Sequence, residues 1–177
     1  MAGMDGARRG TRLFYRREYG TRATQHCTLS SIYHFLYKTM NVHFSSETDL
    51  WATPQKVFDK LNERFQFTLD PCATKENAKC TLFYTQEENG LLQEWGGHRV
   101  FMNPPYGRGI KHWVRKAAES DALCVALLPA RVDTQWYHDY IHNKAFVHFL
   151  KGRLKFGNAT NSAPFPSMIV IFNAITL

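Results

Sequence analysis

The sequence predicts an α/β fold whose sheet is mostly parallel, and three observations support this prediction. Apolar segments of strand length alternate along the chain with segments of helical periodicity, which is the pattern of strand–helix–strand units. Several of these apolar segments stop abruptly at a proline or a polar residue. The chain has 177 residues, of which 44% are hydrophobic, and this is enough to form the core of one domain.

The first half of the domain begins with an amphipathic helix over residues 54–64. Thr53 is placed to cap this helix and Pro54 to occupy its first position. Its apolar residues recur on one side, at Val57, Phe58, Leu61 and Phe65. The other elements expected in this half are a strand at 67–69 before Asp70, a short helix at 74–80, and a strand at 99–102.

The second half contains the clearest helical signal in the chain. Its apolar positions are three, four, seven and eight residues from the first, at Ile110, Trp113, Val114, Ala117 and Ala118. Residues 122–128 form an apolar run typical of a strand buried on both faces. Asp133 is expected to cap a helix that runs through His142. Two strands, at 146–156 and 167–172, complete the predicted domain.

Residues 1–48 are predicted to be a basic, largely disordered N-terminal extension, in which residues 30–38 could form a short helix. The domain is predicted at residues 49–177. Residues 1–40 carry seven of the 22 Lys and Arg residues and two of the 15 Asp and Glu residues, so they hold +5 of the net charge of +7. Such an arm suits a polyanion such as nucleic acid, or it is a solvated tail. Translation from Met40 is a further alternative.

Composition excludes several classes of protein. No segment reaches the roughly 20 apolar residues of a membrane span, and the start of the chain lacks the apolar core of a secretion signal. The four cysteines form no Cys-x-x-Cys pair, and the histidines are scattered. We therefore expect a soluble, cytoplasmic protein without membrane or metal partners, and the sequence carries no signal for its oligomeric state.

Polar residues follow two of the predicted strands directly. Asp70 ends the strand at 67–69, and Asn103 ends the strand at 99–102. Because ligands bind beyond the carboxyl ends of parallel strands, both residues are expected at the same ligand-binding edge. After Asn103, Pro104 and Pro105 stiffen the turn, and Tyr106 adds an aromatic face. Two carbonyl acceptors beside a flat ring suit a planar amino group such as that of adenine.

The sequence Asn103-Pro104-Pro105-Tyr106 resembles the catalytic tetrad of S-adenosylmethionine-dependent amino-methyltransferases. Together with five further segments, it resembles the small phage-type DNA N6-adenine methyltransferases (Dam-like) over residues 49–172. The further segments are 49–54 (DLWATP), 67–70 (FTLD), 127–131 (LLPAR), 152–157 (GRLKFG) and 163–167 (APFPS). This resemblance implies a compact Rossmann-like methyltransferase sheet, mostly parallel, with helices on both faces and a final antiparallel strand.

The resemblance implies a site-specific enzyme that transfers a methyl group from S-adenosylmethionine to a flipped adenine in double-stranded DNA. For a phage or prophage protein, the implied location is the cytoplasm of a bacterial host. The side-chain oxygen of Asn103 and the Pro104 carbonyl would accept the two amino hydrogens, and Tyr106 would stack on the base. The sulfonium is already an activated methyl donor, so positioning and electrostatics would supply most of the acceleration.

The cofactor residues implied by the resemblance are Asp70, Thr53, Pro54 and Asn89. Asp70 matches either the first cofactor motif, without its usual glycine-rich turn, or the acid that binds ribose hydroxyls; it could also be a simple turn residue. Thr53-Pro54 resembles the element that contacts the methionine end of the cofactor, or it is only a helix start. Asn89 stands where an acidic residue usually contacts the cofactor adenine.

DNA contacts are predicted for the strand at 146–156. Strict alternation would place His148, Leu150, Leu154 and Phe156 on the core side, and would leave Lys151, Arg153 and Lys155 to meet phosphates. Arg131, after another strand end, is similarly placed. The alternative for these side chains is an ordinary solvated face.

Two other functions remain open from the sequence. One is methyl transfer to another planar amine, in RNA or in a glutamine side chain. The other is a non-enzymatic nucleic-acid-binding protein on a degenerate methyltransferase fold, which the missing glycine-rich turn keeps open.

Overall fold

The computed structural model describes residues 51–174, so the predicted extension at 1–48 and the possible helix at 30–38 lie outside the described residues. Three helices and six strands occur within this range. The helices are α1 (Gln55–Phe65), α2 (Ile110–Glu119) and α3 (Gln135–Tyr140). The strands are β1 (Leu69–Asp70), β2 (Leu82–Phe83), β3 (Arg99–Met102), β4 (Leu123–Pro129), β5 (Phe146–Phe149) and β6 (Ser167–Phe172).

The strands form one sheet in the order β2-β1-β3-β4-β6-β5. The pairs β1–β2, β1–β3 and β3–β4 are parallel, whereas β6 runs antiparallel to both of its neighbours. This arrangement confirms the predicted α/β class, with mostly parallel strands and a final antiparallel strand. It also places the ends of β1 and β3, and hence Asp70 and Asn103, on neighbouring strands.

The core lies along the centre of this sheet. Every residue of β4 after Leu123 is buried, as are all residues of β6 except Ile171, as expected of a strand covered on both faces. Helix α1 buries Phe58 and Phe65, and the Phe58 ring meets Phe101 of β3 edge to face at 5.1 Å between centroids. Within residues 51–174, no helix has the length and apolar content needed to cross a membrane.

Two predicted helix boundaries were wrong. Helix α1 begins at Gln55, with Pro54 rather than Thr53 at the N-cap position, because the Thr53 side chain turns to another partner. Helix α3 is limited to Gln135–Tyr140. Its N-cap residue is Thr134 rather than Asp133, and the Thr134 hydroxyl donates to the Arg131 carbonyl at 2.7 Å instead of capping the helix.

The helix predicted at 74–80 is a series of turns. The Thr74 amide donates to the side-chain oxygen of Asn77 at 2.7 Å, and the Lys79 amide donates to the Asp70 carboxylate at 3.1 Å. The Asn77 and Ala78 amides donate to the Thr74 carbonyl, which makes a single turn, and the Asp70 carboxylate takes up the Lys79 amide where a helix would continue. The segment instead leads into β2, which extends the sheet beyond β1.

The strand predicted at 146–156 ends at Phe149. Its partner β6 begins at Ser167, directly after Pro166, so the pairing stops where a proline cannot extend the ladder. Gly152 then takes a positive φ of 80°. Beyond the strand, Phe156 is buried and Lys151, Arg153 and Lys155 are exposed, whereas His148 is exposed rather than turned to the core.

Gly90 is a point of close backbone approach. A Cβ added at this position would lie 1.9 Å from the carbonyl oxygen of Pro71, far inside van der Waals contact. We expect Gly90→Ala to lower the free energy of unfolding by about 1–3 kcal/mol, the usual cost of overpacking, or more because the obstacle is backbone.

Gly96→Ala is the matched control for this substitution, since a Cβ added there meets no atom within 4 Å. Urea unfolding of both variants checks the expectation. Equal midpoints for the two variants would show that the segment around Gly90 packs less tightly than described.

Candidate active site

The side chain of Asn103 is held in one orientation at the end of β3. Its amide nitrogen donates to the main-chain oxygen of Trp51 and, at 2.9 Å, to the hydroxyl oxygen of Thr53. A main-chain oxygen can only accept, so the amide nitrogen, not the amide oxygen, must face Trp51. The amide oxygen Oδ1 is buried and has no hydrogen-bond partner among the described residues. An unsatisfied buried acceptor is costly, so its presence at this position calls for an explanation.

The turn after Asn103 offers a second acceptor. Pro104 is buried, and none of residues 51–174 donates a hydrogen bond to its carbonyl oxygen. The turn is anchored two residues after Pro104, where the Arg131 guanidinium donates to the Tyr106 carbonyl at 3.1 Å. Two carbonyl oxygens from adjacent residues are thus held in a stiff turn.

Tyr106 is almost fully buried at 3% exposure. Its hydroxyl donates to the Leu127 carbonyl at 3.2 Å, and burial raises its pKa well above the ordinary value. The ring packs edge to face on Phe165 and Phe156, with centroid separations of 5.5 and 6.1 Å. The Tyr106 side chain is therefore neutral, and its ring is held rigidly by these contacts.

Tyr106 lines a cavity of about 650 Å³, here called the aromatic cavity. Trp51 and Phe165 contribute further aromatic surface, and their rings meet at 5.0 Å. Arg131 and Arg153 line the same cavity. The structure thus brings together two of the four predicted DNA-contacting residues, whereas Lys151 and Lys155 are exposed outside the cavity.

A second, much smaller space adjoins the turn at Asn103 and Pro105 and is here called the Asp70 cleft. It has a volume of about 20 Å³, which is room for about one water molecule. Its walls comprise Trp51, Ala52, Thr53, Asp70, Cys72, Asn77, Lys79, Asn103 and Pro105. Both spaces share Trp51, but Tyr106 lines the aromatic cavity, whereas Asn103 and Pro105 line the Asp70 cleft.

Asp70 is 4% exposed, and burial raises the pKa of its carboxyl to about 6, despite the backbone amides of Lys79 and Cys72 that donate to it. The adjacent thiol of Cys72 lies beside the Asn103 backbone, and burial raises its pKa well above the ordinary value. A protonated thiol is a poor nucleophile. Asp70 is thus the titratable group of the cleft that changes charge near neutral pH.

The four predicted cofactor residues fall in three places. Thr53 and Asp70 both line the Asp70 cleft. Pro54 occupies the N-cap position of α1, next to Thr53. Asn89 is exposed in a turn, has a positive φ of 51°, and accepts from the Leu91 amide at 3.3 Å. Its neighbour Gly90 packs against Pro71, so this turn lies close to the end of β1.

Sequence reasoning missed the role of Trp51. Its carbonyl orients Asn103, while its ring meets Phe156 and Phe165 and lines both spaces. The only signal was the occurrence of Trp51 two residues before Thr53, which does not reveal a contact with a residue 52 positions away.

Other surface features do not gather the predicted site residues. A groove of about 520 Å³ is lined by Trp95, Lys116 and Asp121 among others, and Asp121 precedes β4, at the opposite edge of the sheet from Asn103. No group of three or more His, Cys, Asp or Glu side chains suited to a metal ion occurs within residues 51–174.

Comparisons with known proteins identify the family of the chain. A family model described as DNA N-6-adenine-methyltransferase (Dam) matches residues 41–176. The chain is 34% identical over 138 residues to the DNA N-6-adenine-methyltransferase of Haemophilus phage HP1 (strain HP1c1), covering 72% of this chain and 80% of that protein. It is 37% identical over 111 residues to the DNA N-6-adenine-methyltransferase of Escherichia phage T1, covering 60% of this chain and 46% of that protein. The chain therefore belongs to the DNA N-6-adenine-methyltransferase (Dam) family.

Proposed function

We propose that this chain transfers a methyl group from S-adenosylmethionine to N6 of an adenine flipped out of double-stranded DNA, with Asn103 as its central catalytic residue. The observation that carries the proposal is the amide oxygen of Asn103, which is buried, without a partner among the described residues and fixed in orientation. An amino group with two hydrogens satisfies this oxygen and the neighbouring Pro104 carbonyl together.

Acceptance of both hydrogens localises the nitrogen lone pair perpendicular to the plane of the base. When bound, S-adenosylmethionine supplies a methyl group on a positively charged sulfonium, so the chain needs no covalent nucleophile. The nitrogen–carbon bond forms as the sulfur–carbon bond breaks, and the extra proton on N6 passes to solvent. Asn103 and Pro104 act by orientation and by stabilising the positive charge that develops on the nitrogen.

The aromatic cavity is proposed to receive the flipped base. Its volume of about 650 Å³ lies within the range of small-molecule sites, and Trp51, Tyr106 and Phe165 offer apolar ring surface for stacking. The arginines at its wall are suited to the phosphates beside the flipped nucleotide. Tyr106 would contact the base through the part of its ring that lines the cavity, because its hydroxyl is already bound to Leu127.

The Asp70 cleft is proposed to hold the cofactor. The donor set fits the group, since a carboxylate can accept hydrogen bonds from ribose hydroxyls or from an ammonium, and the cleft adjoins Asn103. A volume of about 20 Å³ is far below that of a nucleoside. The turns at 74–80 must therefore move aside when the cofactor enters. Asn89, at the edge of this region, remains a proposed contact to the cofactor adenine.

Product analysis tests the proposal directly. The full chain is incubated with S-adenosylmethionine in three separate reactions, which contain duplex DNA, structured RNA or a glutamine-containing peptide. The DNA is then hydrolysed to nucleosides for mass spectrometry. We expect N6-methyldeoxyadenosine from duplex DNA alone. Methylation of RNA or peptide without methylation of DNA would contradict the proposed substrate, and cofactor binding without any transfer would favour the non-enzymatic alternative.

A DNA-binding prediction follows from the position of Arg153. Arg153→Ala should weaken binding to duplex DNA and make the plot of log K against log salt shallower by about 0.9 if one phosphate contact is lost. Lys60→Ala, an exposed substitution on α1, is the matched control and should leave both quantities unchanged.

Fluorescence anisotropy at four salt concentrations measures both variants, together with Lys151→Ala and Lys155→Ala. If Arg153→Ala keeps the wild-type salt dependence of DNA binding, Arg153 does not contact a phosphate. Its role would then be limited to supporting the loop through its hydrogen bond to the Ala163 carbonyl at 3.5 Å.

A further inference from the structure

The hydroxyl of Thr53 is committed to Asn103. Thr53 is buried at 7% exposure and directly precedes the N-cap residue of α1. A threonine at the start of a helix commonly caps it, but α1 has no side-chain cap. The Thr53 hydroxyl oxygen instead accepts from the Asn103 amide nitrogen at 2.9 Å.

The two acceptors of the Asn103 amide come from one short segment. Trp51 contributes its carbonyl and Thr53 its hydroxyl, so both N–H groups of the amide have partners. If the amide rotated by 180°, Oδ1 would face the Trp51 carbonyl and two acceptors would oppose each other. The rotated amide would also direct its N–H groups toward an incoming amino group, which is itself a donor. Only the observed orientation presents an acceptor to that group.

We infer that Thr53 is a positioning residue that holds the Asn103 amide with Oδ1 directed at the amino group to be methylated. This inference rests on the proposed function, because it assigns Oδ1 the role of acceptor for N6. It differs from the role in cofactor binding that the sequence suggested for Thr53. In this role the side chain acts through its contact with Asn103.

The test compares Thr53→Val with Thr53→Ser in the full chain. Valine has nearly the same shape but removes the acceptor, leaving one amide N–H unpaired, whereas serine keeps the oxygen. We expect Thr53→Val to lower kcat by about tenfold, the usual scale for one lost neutral hydrogen bond with its partner left unpaired. The KM for DNA and the Kd for S-adenosylmethionine should stay within about twofold of the wild type, and Thr53→Ser should restore most of kcat.

Three results would overturn the inference: an unchanged kcat in Thr53→Val, a loss confined to cofactor affinity, or an equal loss in Thr53→Ser, which would indicate the methyl group rather than the hydroxyl. Thermal unfolding of each variant, with kcat scaled to the folded fraction, separates loss of fold from loss of positioning.

Asn103→Ala, measured in parallel, separates the two proposals. If it keeps wild-type turnover, the proposed function fails whatever Thr53 does. If it loses turnover while Thr53→Val keeps it, only the inference about Thr53 fails. In the Asn103→Ala background, Thr53→Val should cause no further loss, because the group that it positions is gone.

Discussion

Asn103→Ala is expected to reduce methyl transfer by at least about 10²–10³-fold, the usual effect of removing one preorganised acceptor from an active site. The structure supports a loss at the upper end of this range, because alanine removes the only side-chain oxygen that is buried without a partner at the turn. The affinity for S-adenosylmethionine should change by less than about threefold, since the proposed role of Asn103 is toward the base. Single-turnover methylation and calorimetric cofactor titration measure the two effects separately.

The matched control for this variant is Asn161→Ala, which removes the same groups from an exposed position. It should keep wild-type turnover and cofactor affinity. An Asn103→Ala variant that retains more than half of wild-type turnover would remove the tetrad from the mechanism. A variant that loses cofactor affinity in proportion to turnover would move Asn103 to the cofactor site.

Asp70→Asn is expected to weaken S-adenosylmethionine binding by about 10- to 100-fold at pH 8, because hydrogen bonds to a charged group contribute about 1.5–3 kcal/mol. The wild-type chain should show the same weakening when the pH is lowered. Burial raises the pKa of Asp70 to about 6, so the carboxyl is ionised above that pH and neutral below it. Affinity should therefore be constant above about pH 7 and fall as the pH drops through 6.

Asp70→Asn should abolish this pH dependence, since the amide does not titrate. Calorimetric titrations of both proteins at pH 5, 6, 7 and 8 check the prediction. Parallel pH profiles for the two proteins, or equal affinities at pH 8, would show that Asp70 only holds the turns at 74–80 through its contacts with Cys72 and Lys79.

Local sequence signals predicted the elements that form the central sheet. The bounds of β3 and β6 were predicted correctly, because their apolar runs are interrupted at both ends. Helix α2 was predicted from its strong periodicity and starts at the expected residue. The placement of Asp70 and Asn103 at one edge of the sheet also followed from the strand–helix alternation, because the carboxyl ends of parallel strands lie at the same edge; the pairing of their strands is a finding of the structure.

The errors occurred where side-chain hydrogen bonds or very short strand pairings replace what the local sequence pattern favours. Residues 74–80 have a helical composition, but the Asp70 carboxylate and the Asn77 side chain take up their amides. Strand β2 has only two residues, and Leu82 is 39% exposed, so no alternation reveals it. In the segment predicted as a strand at 146–156, side chains after Leu150 still alternate between more buried and more exposed positions, but these residues are not paired with β6.

Only part of the candidate site could be predicted from the sequence. The tetrad, Asp70 and Arg131 were predicted from strand ends and from the family resemblance, whereas Arg153 was predicted from the alternation of a strand that ends at Phe149. The contacts of Asn103 with Trp51 and Thr53 could not be predicted, since they join residues about 50 positions apart through side-chain orientation. No residue pattern encodes which way an amide faces.

The strand pairing also differs in extent across the sheet. Strands β4 and β6 are paired over six positions, and β3 and β4 over four, whereas β1 is paired with β3 at one position and with β2 at two. Local opening is easiest where the fewest backbone hydrogen bonds must break. Amide hydrogens around Asp70 and Phe83 should therefore exchange with solvent well before those of β4 and β6. The half of the sheet proposed to receive the cofactor is thus the half that opens most readily, and ligand binding there would slow proteolysis of the segment from Pro71 to His98.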